Sequence, residues 1–112
     1  MNEFGQSISQ EVQSLNIVWG VPDAIYPRRQ KLIKLVEIAS AFFVRFLTVH
    51  PYINGNGHLA RAIVIAILAR YRIFPRNWRV EPRPDEPDYT NAIVNHRNGH
   101  PTELVKFMLS RI

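Results

Sequence analysis

Cysteine is absent from the 112 residues, so disulfides and thiolate metal sites are excluded and the redox compartment is left open. Long hydrophobic runs are missing too. The longest, "AIVIAILA" and "AFFV", fall far short of the ~20 apolar residues that a membrane span needs, and arginines bracket them. The opening "MNEFGQSISQEV" lacks the basic and apolar blocks of a secretory leader, which makes the cytoplasm the expected location. Lysine is scarce: Lys31, Lys34 and Lys106 are the only ones, and every other basic residue is arginine. No repeat or low-complexity tract interrupts the chain.

What is present is enough apolar material for one core. Hydrophobic residues make up 46% and aromatics 11%, which excludes a disordered chain and fits one domain over 1–112. The net charge of +5 and a pI near 10.1 point to anionic partners such as nucleotides, nucleic acid or acidic proteins. Arg70, Arg72, Arg76, Arg79 and Arg83 gather in one quarter of the chain, and arginine suits bidentate contact with phosphate or carboxylate. A solvated basic surface would have the same composition, so charge alone selects no function.

Hydrophobic spacing predicts an all-α bundle around a central buried helix. Phe4, Ile8, Val12 and Leu15 predict a short N-terminal helix, and "NIVWGV" (16–21) reads as a strand or hairpin arm. "VPDAIYPRR" reads as loop. A long helix is predicted from Arg28 to Val49, ended by His50-Pro51. The next, from His58 to Tyr71, is apolar nearly all round, as a central helix would be. A proline-rich loop follows. A helix over 87–98, capped by Asp85 or Asp88 and stopped by Gly99, precedes a last one with Pro101 in its first turn.

The chemistry concentrates in "VHPYINGNGHLAR". Gly55-Asn56-Gly57 leads into the N-terminus of the apolar helix, where free backbone N–H groups and the positive dipole end can converge on a phosphate. His58 and Arg61, three residues apart, are expected to share a face beside that loop. The dipole disfavours cations there by roughly 0.3–1 kcal/mol, and a bound anion would reverse the penalty. Arg61 simply paired within the protein is the alternative reading. His50, at the end of the preceding helix, stands where it could take a proton from an attacking hydroxyl. His96 and His100 lack such neighbours, and His100 reads as a surface residue.

"HPYINGNGHLAR" closely resembles the signature loop of the Fic (Fic/Doc-like) family: His-Pro-Phe/Tyr, any residue, Asp/Glu, Gly-Asn-Gly-Arg, two residues, Arg. His50, Pro51, Tyr52, Gly55, Asn56, Gly57 and Arg61 meet seven of the nine specified positions. The tail "PDYTNAIVNHRNGHPTELVKFM" is similar to the family's closing helices, and the resemblance covers roughly 28–112. It implies an enzyme, a protein adenylyltransferase that moves AMP or another nucleotide moiety from ATP or a related triphosphate to a Ser, Thr or Tyr hydroxyl of a target protein. By the same resemblance His50 would be the general base, and the Gly55–Gly57 amides with Asn56 would hold the α- and β-phosphates. Arg61 would hold the distal phosphates, His58 would bind phosphate in the place of the family's first arginine, Tyr52 would anchor the loop, and Mg²⁺ or Mn²⁺ would assist. "NIVWGV" would stand for a β-hairpin flap that docks the target's main chain.

Two positions depart from the pattern. Asn54 stands where the family has a metal-binding acid, and an amide oxygen is a poorer ligand for a hard cation. His58 replaces the first arginine, losing a fixed charge and a bidentate fork. A catalytically weak nucleotide-binding module, paired with an antitoxin or other regulatory protein, is therefore the alternative. A basic nucleic-acid-binding helical domain would explain the charge but not the loop. An inhibitory helix is only half matched by "SISQEV", where Ser7 and Glu11 precede Val12, and autoinhibition is not inferred.

Overall fold

Pro27 opens the longest helix: its carbonyl accepts the amides of Gln30 and Lys31 at 3.0 and 3.1 Å, and α2 then runs Arg28–Val49 as predicted. The computed structural model describes residues 3–49, 56–80 and 87–112. The other helices are α1 (Glu3–Trp19), α3 (Asn56–Arg70), α4 (Pro87–Arg97) and α5 (Thr102–Ser110). The chain is all-α, with no strand among the described residues. None of the described helices is long and apolar enough to cross a membrane.

The strand expected over 16–21 is not formed. Asn16 to Trp19 instead complete α1, because Val12, Leu15 and Trp19 continue one helical face. Leu15 is fully buried and Trp19 meets the Tyr71 ring edge-on at 5.1 Å, so tertiary packing outweighs the β-preference of Ile17 and Val18. Lys31 then holds the chain as it leaves α1. Its ammonium, 4% exposed, donates to the carbonyls of Trp19 and Val21 and to Asp23 Oδ1 at 2.8 Å. A buried cation is tolerable when each of its protons has an oxygen to meet.

A central helix exists, but it is α2 rather than the apolar α3. α2 packs against α1, α3, α4 and α5, and its Leu35, Val36, Ala39 and Phe43 are fully buried. Among the described helices, α3 packs along α2 only. An apolar pattern states how much burial a helix requires, and neighbours elsewhere in the chain decide whether it is met. At its far end α3 is tied to α1 by Tyr71, whose hydroxyl donates to Asn16 Oδ1 at 2.6 Å.

α3 and α4 end in the same way. At α4 the amide of Gly99 donates to the carbonyl of His96 and the amide of His100 to that of Asn95, a Schellman cap with Gly99 at φ +89°. The stop expected at Gly99 is thus present. At α3 the amide of Arg72 donates to Ala69 and that of Ile73 to Leu68, with Arg72 at φ 61°, where glycine is usual. Buried Ile73 and Leu68 supply the apolar contact that accompanies this cap. Asp88 lies in the first turn of α4, at the positive end of its dipole. Asp85 lies outside the described residues. Pro101 sits at the N-cap of α5, one residue before the helix.

Candidate functional site

The site is built upward from a floor of aromatic rings. Phe43 of α2, Trp78 of the loop after α3, Tyr89 of α4 and Phe107 of α5 converge. Their centroids lie 5.5 Å apart for Phe43–Trp78 and 5.6 Å for Tyr89–Phe107, in tilted or edge-to-face arrangements. These rings bring four parts of the chain to one point beneath the start of α3.

Arg61 lies on that floor. It is only 3% exposed; its Nε donates to the Val80 carbonyl at 2.8 Å, and Nη1 lies 3.4 Å from the Tyr89 hydroxyl. The Trp78 indole N–H donates in turn to the Arg61 carbonyl at 3.1 Å. A guanidinium keeps its proton at any ordinary pH, so its burial requires such acceptors. The arginine therefore fastens the loop over 73–80 and α4 to the first turns of α3.

Gly57 sits directly above. A Cβ placed on it would lie 2.9 Å from Arg61 Nη1 and 3.9 Å from Nη2, so the glycine leaves the space that the guanidinium fills. Nη1 is a side-chain end that could ordinarily move, but here Nε is bonded and the whole group is buried. The N-terminus of α3, the positive end of the helix dipole, thus has a fixed positive charge immediately below it. That arrangement is electrostatically unfavourable when empty, and an anion above the first turn offsets both contributions.

Of the expected site residues, the structure brings Gly57 and Arg61 together. His58, one residue further on, is exposed, so the three-residue spacing of His58 and Arg61 does not place them in one environment. Asn56 opens α3 by its backbone. His50, Pro51, Tyr52, Asn54 and Gly55, among them the expected base and metal position, lie outside the described residues. His100 is exposed, as expected. His96 is half-buried in α4, and desolvation pushes its pKa below the usual histidine value.

Val80, Trp78 and Tyr89 were not legible as parts of this site from spacing. They lie 17 to 28 residues from Arg61. A tryptophan within an arginine-rich loop is a local signal for Trp78 alone.

Comparison with known families matches residues 5–68, more than half of the chain, to the Fic/DOC family. The match begins earlier than the motif-based resemblance and takes in α1; it ends at Leu68, before the closing helices. The protein adenylyltransferase Fic of Nematostella vectensis is similar, at 29% identity over 79 residues. Those residues cover 70% of this chain and 18% of that protein, so the chain spans less than a fifth of its relative's length. No solved structure matches the chain.

Proposed function

The chain belongs to the Fic/DOC family, and on that premise we propose that it transfers AMP, or another nucleoside monophosphate, from a triphosphate to a hydroxyl of a target protein. The observation that carries this reading is the first turn of α3, with Gly57 seated on the buried Arg61 guanidinium at a helix N-terminus. Triphosphate is the anion that such a place suits. The named relative is an adenylyltransferase, which supports adenylate as the group moved.

In this mechanism the hydroxyl oxygen of a target Ser, Thr or Tyr attacks the α-phosphorus. His50 accepts the hydroxyl proton, the bond to the β-phosphate oxygen breaks, and pyrophosphate leaves. The amides of Gly55 and Gly57 and the Asn56 side chain hold the α- and β-phosphates, and His58, exposed on the same turn, meets the distal ones. Arg61 acts mainly as charge delivered through Gly57, since its Nε and Nη1 already engage Val80 and Tyr89.

The donor set does not fit a protein-held Mg²⁺. The motif offers the neutral Asn54 oxygen and no carboxylate, so a divalent ion would rest chiefly on substrate phosphates and water. The same substitution, with His58 for arginine, favours the second reading, a module that binds nucleotide and transfers it weakly or not at all. Incubation with α-labelled nucleoside triphosphates and acceptor proteins decides between the two. Label on the acceptor together with released pyrophosphate supports transfer. Triphosphate binding without label from any nucleotide replaces it with the binding module.

A further inference from the structure

We propose that the outward face of α3 is a docking surface for an amphipathic helix of a protein partner whose flanking side chains are acidic. Leu59, Ala62, Ile63, Ala66 and Arg70 fall on one line of α3 at helical spacing. Leu59 is 50% exposed, Ala66 and Arg70 are exposed, and Ala62 and Ile63 are partly buried between them. The contrast with α2 is direct: its exposed residues are Arg28, Arg29, Gln30, Glu37, Arg45 and Thr48, all polar, whereas beyond His58 the exposed residues of α3 are the apolar Leu59 and Ala66 before Arg70. A helix apolar on every side is ordinarily enclosed, yet among the described helices only α2 packs along this one, while the loop over 73–80 meets it at Arg61. The alanines let a second helix approach closely, and Leu59 and Ile63 give it side chains to enclose.

Charge selects the occupant. From residue 38 to residue 80 there is no aspartate or glutamate, and six arginines stand in that stretch. It therefore carries +6 in a chain whose total is +5, so the remainder is slightly acidic. Arg70 and Arg72 are exposed at the C-terminal end of the face, and Arg76 and Arg79 are exposed in the loop that follows. A second copy would bring the same arginines to this boundary. An acidic helix meets them with opposite charge, which accelerates encounter and fixes orientation.

Fluorescence anisotropy with labelled helical peptides of about three heptads tests this. One peptide carries leucine and alanine on one face with flanking glutamates; its control carries lysines instead. The glutamate peptide is expected to bind roughly tenfold more tightly or better, less so as salt rises. Ala66→Glu should abolish its binding with helix content unchanged in circular dichroism. Arg70→Glu with Arg72→Glu should reverse the preference towards the lysine peptide. Equal affinities, or no binding of the glutamate peptide, overturn the proposal. So does a concentration-dependent dimer in sedimentation velocity that Ala66→Glu dissociates, which would give the face to a second copy.

Discussion

Gly57 and Arg61 form one unit, and each is intelligible only through the other. The motif's last arginine fills the space under the glycine, held by Val80 and Tyr89. Gly57→Ala should destabilise the fold by about 1–3 kcal/mol, because the new methyl displaces a buried, hydrogen-bonded group. In an Arg61→Met background the same change should be neutral, or stabilising by up to about 1 kcal/mol, since alanine suits a helix better than glycine. Denaturant unfolding of the four proteins of this cycle measures the coupling. Simple additivity would show that the two residues do not share the space. Sequence spacing alone could not reveal this pairing. It put Arg61 near a phosphate loop, but the acceptors that permit its burial arrive from the loop over 73–80 and from α4.

At the level of elements, the boundaries set by local chemistry were legible. Arg28–Val49 follows from Pro27 before it and His50-Pro51 after it, and the end of α4 follows from Gly99. The end of α1 was not, because Ile17 and Val18 favour strands, and it is the burial of Leu15 and the contacts of Asn16 and Trp19 with Tyr71 that keep this turn helical. The cap of α3 offers a direct check. Arg72 occupies the left-handed conformation that Gly99 occupies at α4, and a non-glycine residue there costs roughly 1–2 kcal/mol. Arg72→Gly should accordingly raise the thermal midpoint, by an amount equivalent to about 1 kcal/mol. A lowered midpoint would mean that the arginine side chain contributes more than its backbone strain. α4 carries a second test. Burial holds the His96 pKa below its unfolded value, so the folded state binds this proton less readily than the unfolded chain. Stability should therefore be full above about pH 6.5 and fall as pH drops below it towards the folded pKa. Urea midpoints at neutral and mildly acid pH should show this loss, and His96→Gln should reduce it. An equal loss in both proteins would assign it to other groups.

For the whole molecule, one helix organises everything else. α2 touches all four others, and its end delivers the chain to the motif from which α3 starts. The radius of gyration, 14.0 Å, lies close to the roughly 13 Å expected of a compact chain of this length. Apolar periodicity disclosed the helices and the motif disclosed the family, but neither disclosed which helix would be central, since that depends on partners the pattern does not encode. The central functional reading, transfer with His50 as base, is tested most directly by His50→Ala supplied with labelled ATP and an acceptor protein. Labelling should fall by roughly 10²–10⁴-fold while calorimetric affinity for ATP stays unchanged, because a general base acts in turnover and not in binding. Undiminished labelling by His50→Ala would contradict that assignment.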